Sequence, residues 1–266
     1  MVSMFRDDLL KGKRILVTGG GTGLGKEMAE DYLRLGAEVY ICGRRKGVLD
    51  ETAKDLMDRH GGSVKTHSVD IRVAQAVDDM VAEIWADGGP LTGLVNNAAG
   101  NFISPTKDLS PRGFDAIANI VFHGSFYVTH AIGRRWIEDK VKGSVISILT
   151  TWIWNGGPFT VPSAMSKAGL NIMTKSLAAE WGPYGIRLNA IAPGPFPTKG
   201  AWERLSPGQS TDCEYLTGQT IAIDGAGFSG GGGNFSRLSA LSEDDWADMR
   251  EMIRGANDKD KAQRSV

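Results

Sequence analysis

An α/β fold, one doubly wound parallel sheet with a helical C-terminal tail, is predicted by three features of the sequence. Short β-branched runs alternate with amphipathic stretches from the N-terminus onward. The strand-like runs are nearly continuous in apolar residues, as expected where both faces of a sheet are covered. A glycine-rich turn joins the first run to the first helical stretch.

In order, the strands are expected at Arg14–Thr18, Glu38–Cys42, Val64–Ser68, Gly93–Asn96, Gly143–Ile148 and Arg187–Ala192. Helices are expected over Lys26–Leu35, Val48–Arg59 and Val73–Trp85, with further amphipathic stretches at Pro111–Glu138 and Ser163–Trp181. Right-handed crossovers then give a Rossmann-type sheet. A last strand is expected at Thr220–Asp224, and a flexible surface loop over Gly225–Gly233. Ser242 stands where it caps a helix running to about Arg254. Asp245 sits where a capping box holds Glu or Gln, and Leu241 and Trp246 sit where a hydrophobic staple would.

At 266 residues the chain fits a single domain, residues 1–266, whose segment 225–266 is the glycine-rich loop and tail. One link is too short. Gly200–Glu214 holds no helix long enough for a parallel crossover, so the last strand pairs differently or residues are absent near Ser210/Thr211. A mass above 28.6 kDa would support the second reading.

Hydrophobic residues make up 41% and charged residues 23%, with a net charge of −1, so nucleic-acid and membrane-surface partners are not expected. No apolar run reaches the ~18 residues of a membrane span. Neither a secretory nor a transit leader nor a peroxisomal ending is visible, and the expected setting is a reducing cytoplasm. Cys42 and Cys213 form no framework. The four histidines show no metal-ligand spacing, so no metal is expected.

Gly19, Gly23 and Gly25 give the spacing G-x-x-x-G-x-G between strand and helix, with Gly21, Thr22 and Leu24 in the same turn. Residues without a β-carbon let backbone amides and the helix N-terminus approach a pyrophosphate. The second strand ends in Gly43-Arg44, where an NAD site usually has an acid. This leaves space and positive charge for a 2′-phosphate, unless Arg44–Lys46 is simply a solvated turn. Asp70 stands where it accepts from an adenine amino group or caps a helix. Asn96-Asn97-Ala98-Ala99-Gly100 brings small residues against an adenosine ribose.

These motifs, with Ser163-Ala-Met-Ser-Lys167 and Pro193-Gly194 followed by Thr198, resemble the short-chain dehydrogenase/reductase family. The runs Asn96–Thr106, Ser163–Lys167 and Pro193–Gly200, with the Trp246-containing tail, are most similar to its 2,4-dienoyl-CoA reductase branch of mitochondrial type. That branch also has serine where other members have tyrosine. The resemblance implies NADP(H), a conjugated dienoyl-CoA acceptor and a homotetramer. It implies that Asn101 donates to the thioester carbonyl, and that Lys167, assisted by Ser163, holds the nicotinamide ribose. Asn97, Ala98, Gly100, Pro193, Gly194 and Phe196 would line the cofactor, and Phe102, Ser110 and Arg204 the acyl-CoA. The branch's own tyrosine lies eleven residues before the serine, where this chain has Trp152. Thr150 takes the position of the wider family's serine, and Val121 that of its helical asparagine.

Trp152 carries an indole N–H that donates but does not ionise. It would stabilise an oxyanion without delivering a proton, or else line the pocket beside Trp154 and Phe159. Two other functions stay open: carbonyl/alcohol oxidoreduction by Thr150, Ser163 and Lys167, and nucleotide binding without turnover. A serine is a poor substitute for a phenol as an acid, which disfavours the first.

Overall fold

The computed structural model describes residues 5–194, and 242, 244–245 and 247–252 of the C-terminal segment. The chain divides into two compact units, Met1–Gly218 and Gln219–Val266. Among its described residues the first holds six parallel strands in the order β3-β2-β1-β4-β5-β6. They are β1 (Arg14–Thr18), β2 (Glu38–Gly43), β3 (Val64–Ser68), β4 (Gly93–Asn96), β5 (Gly143–Ile148) and β6 (Ile186–Ile191). Between them run α1 (Gly23–Arg34), α2 (Lys46–His60), α3 (Ala74–Gly88), α4 (Pro111–Ala118), α5 (Ser125–Glu138), α6 (Trp152–Asn155) and α7 (Val161–Trp181).

Strand alternation divides the core. Ile15, Val17, Val39 and Ile41 face one side, where they pack with Ala29, Leu33, Leu49 and Leu56 of α1 and α2. Leu16, Tyr40 and Cys42 face the other, against Val77, Ile84, Val128, Ile132 and Trp136 of α3 and α5. Trp136 is fully buried, yet its indole N–H donates to the Leu91 carbonyl at 2.6 Å, so no polar atom is stranded. Burial pushes the Cys42 thiol up to about 12, consistent with an inert packing residue. A smaller cluster of Ile117, Val121, Leu149 and Leu170, joined by Phe102 and Ile153, lies beyond the ends of β4 and β5.

The strand order reverses between β1 and β4, so the crevice outside their carboxyl ends is where this architecture receives ligands. The six strands expected between Arg14 and Ala192 all form, with β6 one residue earlier than expected. Gly185, at φ +77°, ends the preceding turn, and Ile186 already pairs with Gly143. Helices α1 and α2 also begin earlier than expected. The stretch Pro111–Glu138 is not one α-helix. A π-helical turn over Asn119–Gly124 separates α4 from α5 and holds Val121 in the site-end cluster.

In the second unit, residues 244–245 and 247–252 are helical. The Ser242 hydroxyl accepts from the Asp245 N–H while the Asp245 carboxylate accepts from the Ser242 N–H at 2.8 Å. This is the reciprocal cap expected from the sequence, with Asp doing the work of Glu. Among the described residues no helix is long and apolar enough to cross a membrane, and no group of His, Cys, Asp and Glu is placed to hold a metal ion. The expected strand Thr220–Asp224, the loop Gly225–Gly233, the staple residues Leu241 and Trp246, Cys213, and the link containing Ser210/Thr211 lie outside the described residues.

Candidate active site

The glycine turn between β1 and α1 is built without room for side chains. A β-carbon on Gly25 would lie 2.4 Å from the Gly19 carbonyl oxygen and 2.5 Å from the Asn97 amide nitrogen. One on Gly19 would meet the Ala98 backbone at 3.0 Å, and Gly19 also has φ +67°. Gly23 has φ +54° and opens α1, while Thr22 is exposed at the N-cap and Leu24 half-buried behind it. Gly21 packs on Leu49 of α2. The Gly19 N–H donates to the Cys42 carbonyl at 2.8 Å, and the rest of the turn, free of β-carbons at its tight positions, leads into the N-terminus of α1, a cradle fit for a pyrophosphate.

Thr18, the last residue of β1, ties the turn to the end of β4. Its hydroxyl oxygen accepts from the N–H of Asn97 at 3.0 Å and of Ala98 at 2.9 Å, and donates to the Val95 carbonyl at 3.2 Å. In return, the Asn97 side-chain amide donates to the Thr18 carbonyl at 2.9 Å. The two strands at the switch point thus fix each other, with Gly100 following against Ile117 and Ile120. Buried Asn96 donates to Thr129 at 2.8 Å, linking the same strand end to α5.

At the end of β2, Gly43 leaves open space and Arg44 is exposed. Asp70 follows β3, but its carboxylate is held by Arg72, with contacts of 2.5–3.0 Å from the guanidinium and 3.1 Å from the Arg72 N–H. The bland alternative of a helix cap is not taken, because α3 starts at Ala74 behind Val73. The Arg72 fork holds the Asp70 carboxyl below the usual range, and Arg44 adds a smaller pull. Arg72 had no sequence motif to mark it; only its position two residues after Asp70 hints at the clamp.

Lys167 and Ser163 sit one turn apart on α7, 6% and 5% exposed, so the lysine is not a solvated helical residue. The Lys167 ammonium donates to the Ile148 carbonyl at the end of β5. Desolvation pulls its pKa down to about 8. Thr150 and Trp152 follow β5 directly. Thr150 is half-buried and precedes the short helix α6, and Trp152 begins it. Gly157 makes space for the Trp152 ring, since a β-carbon there would lie 2.8 Å from it. The Trp152 indole N–H has no hydrogen-bond partner among the described residues. Trp154 and Phe159, which the alternative reading groups with it in a pocket wall, are 64% and 53% exposed.

Asn101 is half-buried, and its side-chain oxygen accepts from the Phe102 N–H at 2.9 Å. This is the local turn bond that asparagine often makes. It fixes the amide so that its NH2 remains without a partner among the described residues. The Asn101 loop and the Trp152 loop are joined by the Ser104 N–H, which donates to the Phe159 carbonyl at 3.0 Å. Phe159 reaches that bond in the left-handed region, at φ +65°. Phe102 packs against the site-end cluster. Ser110 caps α4, accepting from the Gly113 N–H at 3.1 Å, a role signalled by the proline that follows it. Pro193 and Gly194 follow β6 as irregular chain, whereas Phe196 and Arg204 lie outside the described residues.

Comparison with known proteins places this geometry in a family. The model of the family described as short chain dehydrogenase matches residues 13–207. A probable 2,4-dienoyl-CoA reductase of Caenorhabditis elegans, described as (3E)-enoyl-CoA-producing, is 40% identical, covering 97% of this chain and 94% of the relative. That alignment spans 292 positions against 266 residues here, so the relative has residues without counterpart in this chain. A probable 2,4-dienoyl-CoA reductase of Bacillus subtilis is 42% identical over 73% of this chain and 76% of its own. A crystal structure of a short chain dehydrogenase from Bacillus anthracis superposes with a TM-score of 0.68 at 44% identity, covering 70% of this chain and 75% of that one. The chain belongs to the short-chain dehydrogenase family and is an oxidoreductase of that family.

Proposed function

We propose that the chain is an NADPH-dependent reductase of conjugated dienoyl-CoA thioesters. The observation that carries this is that two donors, the Asn101 amide NH2 and the Trp152 indole N–H, have no partner among the described residues and lie on loops joined by the Ser104–Phe159 hydrogen bond. A carbonyl/alcohol site needs a group that exchanges a proton with oxygen; the side chains here are suited to hold charge instead. The resemblance of Trp152 to a position held by tyrosine, and relatives described as 2,4-dienoyl-CoA reductases, support the same reading.

NADPH, when bound, supplies the hydride. Its pyrophosphate would be held by the turn Gly19–Gly25 and the N-terminus of α1, its 2′-phosphate by Arg44, and its adenosine by the backbone of Asn97, Ala98 and Gly100. Lys167 and Ser163 would hold the nicotinamide ribose, and Pro193, Gly194 and Phe196 would line the ring. Asn101 and Trp152 stabilise negative charge on the thioester oxygen of the extended substrate. Trp152 holds no transferable proton, so the α-carbon is protonated by water. Phe102, Ser110 and Arg204 are assigned to the acyl-CoA, and Thr150 keeps a hydroxyl between β5 and α6.

The active form is proposed to be a homotetramer in the cytoplasm, its contacts made by α4, α5 and α7. The short link from Gly200 to Glu214 supports residues being absent near Ser210/Thr211, which a native mass above 28.6 kDa would bear out.

Parallel assays of NADPH consumption test the function. Turnover with a dienoyl-CoA but not with a panel of ketones is expected. Turnover with ketones alone would replace it with carbonyl chemistry, and tight NADPH binding without turnover on either would leave a nucleotide-binding protein.

A further inference from the structure

We propose that Arg72 is a positioning residue that sets dinucleotide specificity: by clamping Asp70 it leaves the Arg44 guanidinium uncommitted and available to an anionic group on the adenosine ribose. This rests on the NADP(H) reading and deepens it.

The argument begins in the sheet. β2 and β3 pair in parallel with Gly43 opposite Ser68, and the Val69 N–H donates to the Gly43 carbonyl at 2.9 Å. The two chains therefore leave the sheet side by side, one carrying Arg44 and the other Asp70. A carboxylate beside a free guanidinium is that guanidinium's natural partner, and a forked pair between them would consume the donors Arg44 needs. It would also set a carboxylate beside the place a 2′-phosphate must occupy, with its partner's positive charge already neutralised.

Arg72 prevents both outcomes. Its Nε lies 2.9 and 3.0 Å from the two Asp70 carboxylate oxygens and its Nη2 2.5 Å from one of them, with its own N–H closing the turn at 3.1 Å. The pair is only two residues apart, so little chain ordering opposes it. Arg44, by contrast, has no hydrogen-bond or ion-pair partner among the described residues, although it is near enough to Asp70 to bias its carboxyl. Lys46, two residues on, is committed to Asp50 at 2.6 Å, and Asp50 also accepts from Thr66 at 2.7 Å. Arg44, Arg72 and Asp70 together leave one positive charge over, and Arg44 is the member free to present it.

Calorimetric titration of the full chain with 2′,5′-ADP and with 5′-ADP tests this, read as the ratio of the two Kd values. A shared effect on adenine binding or on folding cancels in that ratio. Wild type should prefer 2′,5′-ADP. R72A should lower the preference about tenfold, the loss expected for one charge-assisted contact. D70N/R72A should return it to within about twofold of wild type, since Arg44 then has no rival carboxylate. In an R44A background, R72A should change the ratio no further. An unchanged ratio in R72A overturns the inference. A ratio that stays low in D70N/R72A makes Arg72 a direct phosphate ligand and overturns the positioning role. If wild type itself shows no preference, the NADP(H) reading falls, and this inference falls with it.

Discussion

The Lys167 ammonium donates to the main-chain carbonyl of Ile148, the last residue of β5, in a place closed to solvent. One neutral carbonyl does not replace the water that a full charge loses, and the lysine pKa falls from 10.5 to about 8. The folded protein therefore releases this proton before the unfolded chain does. Stability contributed by this group must rise as pH goes from about 8 to 10.5. At 1.36 kcal/mol per pH unit, the penalty below that window is about 3 kcal/mol. Lys167→Met, which keeps the stem and drops the charge, should stabilise the cofactor-free protein at neutral pH and flatten that slope while abolishing turnover. Denaturant unfolding across the pH range measures it.

Gly25 and Gly47 make a contrasting pair. An alanine β-carbon at Gly25 collides with backbone at 2.4 Å, whereas at Gly47, in the first turn of α2, it meets nothing within 4 Å. Gly25→Ala should destabilise by about 1–3 kcal/mol and weaken dinucleotide binding at least about tenfold. Gly47→Ala should be neutral to stabilising, by up to about 1 kcal/mol. Melting curves and nucleotide titration distinguish them.

The Thr18 hydroxyl serves two N–H groups at the end of β4. Thr18→Val preserves the shape and removes the acceptor. A cost of about 1–3 kcal/mol is expected, with weaker dinucleotide binding because Asn97 and Ala98 lose their anchor. An unchanged melting temperature would show that the hydroxyl is dispensable.

Trp152→Phe removes the indole N–H and keeps an aromatic ring. Loss of one oxyanion donor should lower kcat about a hundredfold with KM little changed, and Asn101→Ala should do the same. Trp152→Tyr restores a donor and should retain activity. If Trp152→Phe turns over like wild type, the indole is only a wall of the site.

The sheet was legible because its strands bury both faces and so carry uninterrupted apolar runs, as in Ile15–Val17 and Val39–Cys42. The glycine turn was legible because the collision at Gly25 leaves no alternative residue. Less legible were features set by tertiary contact. The π-helical turn at Asn119–Gly124 interrupts a stretch whose apolar period reads as one helix. Phe159 at φ +65° has no glycine or asparagine to announce it; the Ser104 bond accompanies that conformation. The alternative wall of Trp152, Trp154 and Phe159 was grouped by composition, yet α6 is a single turn on which Trp152 is half-buried and Trp154 exposed, and Phe159 is exposed beyond it.

The most direct measurement of conjugate reduction follows the label from NADPH deuterated at its transferable position into a dienoyl-CoA product. Mass spectrometry and NMR should find one deuterium at the carbon of the diene farthest from the thioester, and solvent hydrogen at the α-carbon. Deuterium on a carbonyl carbon, or no incorporation under conditions where the dinucleotide is bound, would contradict it.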